Sequence, residues 1–158
     1  ELSLEEATRK GLEFLDSKGI TSMRPTYQLR EGNTAVTAYA YVQEGVTIYP
    51  DLIKVKVALD NGEVLSYEAM GFLMNHRERT LPEPKLTIDE AMQELDDRLQ
   101  VANQRAAVIP LPDGSEAFTY EFNIRLNEDD FLVYINAQSG QEEQVLQLVH
   151  APEGELTQ

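Results

Sequence analysis

Twenty-eight Asp and Glu side chains stand against 13 Lys and Arg in this 158-residue chain, so carboxylate chemistry is the first possibility to weigh. Hydrolysis by paired carboxylates requires one acid with a raised pKa beside another that stays ionised. The acids here run together as Glu128-Asp129-Asp130, Asp96-Asp97 and Glu142-Glu143. They fall in turns and on polar faces, where Asp and Glu are ordinarily solvated charges. The two histidines offer no better start: His76 ends an apolar segment beside Arg77 and Arg79, and His150 lies near the C-terminus. Neither has companions at the spacing that a metal site or a positioned general base demands. Asn127-Glu128-Asp129-Asp130 lacks the alternating ligand pattern of a calcium loop. There is no cysteine, which excludes disulfides, thiol catalysis and Cys-based zinc sites. Ser139-Gly140 reads as a turn, and Gly-rich phosphate loops and nucleophile elbows are absent. The expectation is a non-enzymatic chain with no catalytic, cofactor-binding or metal-ligating residues.

Aromatic side chains are more informative. Tyr39 and Tyr41 alternate with Ala38, Ala40 and Val42, giving one strand an aromatic face and a small apolar face. A single helix cannot cover both, so one face packs inside the molecule or meets a partner. Tyrosine is typical of interfaces. Tyr39 and Tyr41, with the acidic turn Glu128, Asp129 and Asp130, are therefore the candidate partner-binding residues. Phe72, Leu73 and Met74 are expected to cover a sheet or a domain interface.

The elements that must carry these residues come as a repeat. Leu2-Ser3-Leu4-Glu5-Glu6-Ala7 aligns with Leu86-Thr87-Ile88-Asp89-Glu90-Ala91. Each is a capping box, with Ser3 or Thr87 as N-cap and Glu6 or Glu90 three residues on, preceded by an apolar staple residue. The first helix continues through Leu12, Phe14 and Leu15 to a stop at Gly19. The second carries the stripe Ala91, Leu95, Leu99. Strands follow each helix. In the first half they span 23–30, 34–43, 52–59 and 63–70, with Ile53, Val55, Val57 and Leu59 on one face and Lys54 and Lys56 on the other. Asp60-Asn61-Gly62 closes a tight hairpin. In the second half the strands span 104–109, 118–126, 131–135 and 141–149. The first half is longer in its middle, an excess assigned to the connection at 45–51.

The fold class expected is α+β: two tandem units, residues 1–80 and 81–158, each one helix on a three- to four-stranded antiparallel sheet. Pro82 and Pro84 mark a short stiff linker. Charge divides in the same place. Of the formal net charge of −15, residues 1–80 carry −3 and residues 81–158 carry −12. Such acidity argues against nucleic acid and anionic membrane surfaces, and no apolar run reaches the roughly 20 residues that span a bilayer. The absence of Met at the start and of Cys throughout reads as an exported piece separated from its anchor.

A leading helix and a meander ending in Val57-Ala58-Leu59-Asp60-Asn61-Gly62-Glu63-Val64, matched with two extra turn residues at 133–140, resembles the PepSY domain family in two copies. The run Tyr67-Glu68-Ala69-Met70-Gly71-Phe72-Leu73-Met74-Asn75-His76, followed by Pro82-Glu83-Pro84-Lys85-Leu86, is similar to the C-terminal region of the YpeB family of spore germination proteins. The resemblance implies an extracytoplasmic protein at the spore inner membrane or cortex, anchored upstream of Glu1. It implies a protein partner, a cortex-lytic cell-wall hydrolase of the SleB type, which such a protein stabilises or inhibits until germination. It supplies no catalytic residues and no cofactor. The alternatives are a small carboxylate-based hydrolase acting on peptidoglycan and a protease-inhibiting propeptide-like domain.

Overall fold

The computed structural model describes residues 1–151 and 154–157, with side chains described through Leu146. The expectation for His150 falls outside the described side chains. The chain is α+β, with mostly antiparallel strands and few helices. It separates into two compact units. Glu1–Gln43 and Pro50–Arg77 build the first, and Glu44–Tyr49 and Glu78–Val149 build the second.

The first unit opens with α1 (Leu4–Ser17), whose start is the capping box expected: Ser3 Oγ accepts from the Glu6 amide and Glu6 answers to the Ser3 amide. Its end is a Schellman motif, with Gly19 at φ 77°. The Ile20 amide donates to Leu15 O and the Gly19 amide to Asp16 O. Strands β1 (Met23–Glu31), β2 (Thr34–Gln43), β3 (Val46–Ala58) and β4 (Val64–Glu68) follow, then α2 (Met70–Asn75). β1 pairs antiparallel with β2, and β3 with β4. Ala7 and Leu15 of α1 close the core on Ala35 and Tyr39 of β2 and on Ile53, Val55 and Val57 of β3. Gly11 allows the closest approach. A Cβ there would overlap the Tyr39 hydroxyl and come within 2.9 Å of its ring carbon Cζ. The β3–β4 hairpin turns at Asn61-Gly62, where Gly62 takes φ 79° and its amide donates to Ala58 O at 2.9 Å. Asn61 Oδ1 accepts from the Glu63 amide at 2.9 Å.

Two expectations change here. Residues 45–51 are not a mere connection: β3 is a 13-residue strand that runs through Pro50. Residues 69–75, read as the end of a strand and an apolar segment, turn into α2. Gly71 lets α2 lie against β3, since a Cβ there would sit 3.2 Å from Pro50 O.

The second unit begins its helix with the same capping box, Thr87 with Glu90. This helix, α3 (Ile88–Met92), has five residues and does not reach Leu99. The chain leaves it in tight turns, with the Glu94 and Leu95 amides donating three residues back to Ala91 and Met92, and further on the Asp96 carboxylate accepts from the Arg98 amide, a local bond that competes with helix. Leu95 and Leu99 still pack on the core of Ala91, Tyr120, Phe122, Ile124, Val133 and Ile135. The strands are β5 (Gln100–Pro110), β6 (Glu116–Leu126), β7 (Asp129–Asn136) and β8 (Glu142–Ala151), and the chain then returns to the first unit, where β9 (Gly154–Thr157) pairs antiparallel with β1. β5 to β8 form an antiparallel meander. Thr47 and Ile48 of β3 add to β5 in parallel.

Candidate functional site

Of the five residues singled out for a partner, the structure removes Tyr39 first. Its side chain is fully buried. The hydroxyl donates to Thr8 O of α1 at 2.7 Å, and burial pushes its pKa up to about 12. Tyr41, two residues on, faces the same side and lies edge-on to His76, 4.6 Å between ring centroids. The aromatic face is thus occupied by α1 and by the end of α2, while Ala38 and Ala40 of the opposite face are also fully buried. Neither tyrosine forms an exposed aromatic strip. In the second unit, Asp130 is buried and receives two hydrogen bonds from Arg125, its cross-strand neighbour, at 3.0 and 3.1 Å. Glu128 and Asp129 remain the exposed charges of that turn.

Two side-chain assemblies had no signal in the sequence. In the first unit, His76 Nδ1 lies 2.8 Å from Oδ2 of the fully buried Asp51. A carboxylate that orients an imidazole is half of a nucleophile-activating triad. Here the ring is stacked on Phe72 at 4.3 Å and flanked by Tyr41, and the His76 amide closes α2 onto Phe72 O. The pair pins the end of α2 to β3. In the second unit, Glu121 Oε1 accepts from the hydroxyls of Tyr49 at 2.5 Å and Tyr134 at 2.6 Å. Its other oxygen accepts from Arg105 Nε at 2.6 Å, and Arg105 also donates to Tyr49 Oη. Burial, with Glu121 close by, raises both tyrosine pKa values. Burial works against the Arg105 charge, but Tyr49 and Glu121 outweigh it and hold its pKa above the ordinary value. Every strong donor here meets an acceptor, so the cluster reads as a satisfied buried network. Among the described residues, no group of three or more His, Cys, Asp and Glu is arranged to hold a metal ion.

The surface feature that stands out is apolar. Leu73 is 78% exposed and Met74 75% exposed, and Leu65, Tyr67 and Met70 are at least half exposed. This corrects the expectation for Phe72, Leu73 and Met74. Because the segment is helical, the three side chains diverge: Phe72 joins the core and the other two face outward. β4 and α2 are consecutive in the chain, and β4 is an edge strand, paired with β3 alone among the described strands. Natural edges are usually blunted by Lys, Pro or inward charges. Val64-Leu65-Ser66-Tyr67-Glu68 has no Lys or Pro, and its one irregularity is the register shift between the Lys56 and Val57 pairings.

A family model described as YpeB sporulation, PepSY1 and PepSY2 domains, matches residues 1–82. The chain is 40% identical over 150 residues to the sporulation protein YpeB of Halalkalibacterium halodurans, covering 95% of the chain and 34% of that relative. It is 36% identical over 152 residues to the YpeB of Bacillus subtilis, again covering 95% of the chain and 34% of the relative. The chain therefore spans about a third of the length of these curated relatives. Among solved structures, the Bacillus megaterium YpeB C-terminal domain superposes with a TM-score of 0.86 at 32% identity, covering 95% of this chain and 67% of that one.

Proposed function

The chain belongs to the YpeB family of sporulation proteins, and from that premise we propose that it is a non-enzymatic protein-interaction module. In this reading the two compact units are PepSY-like units, each a helix laid on an antiparallel sheet. The partner is a cortex-lytic cell-wall hydrolase of the SleB type, which the module stabilises or holds inactive until germination. The working place is extracytoplasmic, at the spore inner membrane or cortex. The observation that carries the reading is the apolar run along β4 and α2: five large side chains at least half exposed in one stretch of one unit. Contiguous exposed apolar surface of this kind marks interaction sites in folded proteins. The excess of acids in residues 81–158 adds long-range attraction for a basic partner.

The test is genetic and biochemical together. Spores lacking the region corresponding to residues 1–158 are expected to lose the hydrolase from immunoblots of spore extracts, and the purified chain is expected to retain the hydrolase on a column, less so at high salt. Normal hydrolase accumulation without the region, together with no retention, overturns the proposal. Release of muropeptides from peptidoglycan by the chain alone, abolished by a single carboxylate substitution, would establish the enzyme instead.

A further inference from the structure

We propose that β4 is a docking edge for an extended segment of the partner, a strand that alternates apolar and basic side chains and extends the sheet of the first unit. The inference rests on the protein-interaction reading and names the recognition chemistry.

The backbone supplies the affinity. β4 pairs with β3 on one side and is the last strand of the sheet order on the other, so its outward N–H and C=O groups are a template for one more strand. The side chains supply the selectivity, one face at a time. On the α1 side, Tyr67 stands opposite the core residue Val55 and its ring lies 5.2 Å from Phe14. An added strand on this side continues an apolar row and covers the half-exposed Tyr67. The apolar surface does not stop with the strand: Met70, Leu73 and Met74 of α2 follow it.

The opposite face carries the charge argument. Across the β3–β4 pair, Lys54 is opposite Glu68 and Lys56 is opposite Ser66. Positive residues therefore occupy the inner strand. Lys56 is paired with Glu31 at 3.7 Å, and Lys54 lies over the Tyr27 ring. Negative Glu68 occupies the rim, one of its carboxylate oxygens accepting from the Met70 amide at 2.6 Å, with Glu63 just ahead of the strand, and both are exposed. The next strand out meets acids, and like charges directly opposite are destabilising whereas opposite charges stabilise. A segment with Lys or Arg on this face and Val, Ile or Leu on the other satisfies both rows at once. A second copy of β4 fits less well, because Val64-Leu65-Ser66-Tyr67-Glu68 brings no basic residue to the rim.

The experiment uses the whole chain, isotope-labelled for NMR, titrated with three short end-blocked peptides: one alternating Val or Ile with Lys, one alternating Val or Ile with Glu, and the first again with its edge-facing amides N-methylated. The lysine peptide is expected to bind at least tenfold more tightly than either of the others, with amide shifts concentrated in β4 and α2. In the Leu65→Asp, Tyr67→Asp double variant and in the separate Leu73→Asp variant, all at exposed positions, binding is expected to fall at least tenfold while the spectrum stays that of a folded chain. Equal affinity for the lysine and glutamate peptides, shifts centred elsewhere, or self-association that protects the β4 amides overturns the docking edge. Failure of this proposal and of the proposed function are separable. Hydrolase retention without peptide binding rejects the edge alone, and peptide binding without hydrolase retention rejects the partner alone.

Discussion

Replacing Gly11 with alanine tests the packing of the first unit, because helix propensity and packing predict opposite signs. Gly11 lies inside α1, and alanine is favoured over glycine in a helix interior by about 1 kcal/mol. Propensity alone therefore makes Gly11→Ala stabilising. The added methyl, however, overlaps the Tyr39 hydroxyl and meets Cζ at 2.9 Å. Tyr39 is fully buried, with its hydroxyl tied to Thr8 O, so the ring has nowhere to move. Overpacking of this kind costs about 1–3 kcal/mol, and displacing the hydroxyl gives up a hydrogen bond worth about 1 kcal/mol. The net expectation is a loss of about 1–3 kcal/mol, a fall in Tm of roughly 3–9 °C at this chain length. Urea unfolding followed by circular dichroism and tyrosine fluorescence suits the purpose, since the chain has seven tyrosines and no tryptophan. Arg9→Ala, exposed on the same helix, should change stability by less than about 0.5 kcal/mol. In a Tyr39→Phe background the overlapping oxygen is gone, and the cost of Gly11→Ala should shrink by about 1 kcal/mol or more. A stabilised Gly11→Ala, or a cost indifferent to Tyr39→Phe, would refute the reasoning.

Glu121→Gln should lower the unfolding free energy by about 2–3 kcal/mol, because it leaves the partly buried Arg105 without its counter-charge; a loss below about 0.5 kcal/mol in urea would show that the network does not act through charge. Alkaline titration gives a third check. Tyr39 ionises at about 12 in the folded chain and near 10 when unfolded, so its contribution, of order 2–3 kcal/mol, is complete below pH 10 and is lost as the pH rises towards 12. Tyr49 and Tyr134 are shifted the same way. Absorbance at the phenolate band should therefore rise together with unfolding, and ionisation of all tyrosines near pH 10 in a still-folded chain would contradict the burial argument.

What could be read in the sequence was local. Both capping boxes, the Gly19 stop and the Asn61-Gly62 hairpin depend on residues within one turn of each other, and all are present. The alternation of Ile53, Val55, Val57 and Leu59 identified a core face because a half-buried strand has period two. Pro50 obscured the true length of β3, since proline normally argues against a strand interior. α3 stops at Met92, where the following amides turn to carbonyls three residues back, a change that the stripe Ala91, Leu95, Leu99 cannot display. α2 carries no sequence signature of its start, because its N-cap position is Ala69, which has no polar side chain, and the Met70 amide is met by Glu68 instead. The alternation around Tyr39 leaves both internal packing and a partner open, because a pattern marks a face but not what lies over it. The Asp51–His76 pair and the Glu121 network join residues far apart in the chain, so only the folded register brings them together. The run of apolar residues at 72–74 was visible, and its division into one core and two surface side chains required knowing that the segment is helical.

The Asn61-Gly62 hairpin has a consequence for how the chain ages. Asn-Gly is the dipeptide in which the glycine nitrogen most readily attacks the asparagine carboxamide, expelling ammonia and forming a succinimide that water opens to isoaspartate. In this turn the Gly62 N–H is engaged with Ala58 O, and the Asn61 carboxamide oxygen is engaged with the Glu63 N–H. The attacking atom and its target are each held by another bond. Cyclisation must wait for the hairpin to open, so the free energy of local opening governs how fast this damage accumulates. The hydrogen bonds that set the register of β3 and β4 thereby also set the chemical shelf life of the turn between them.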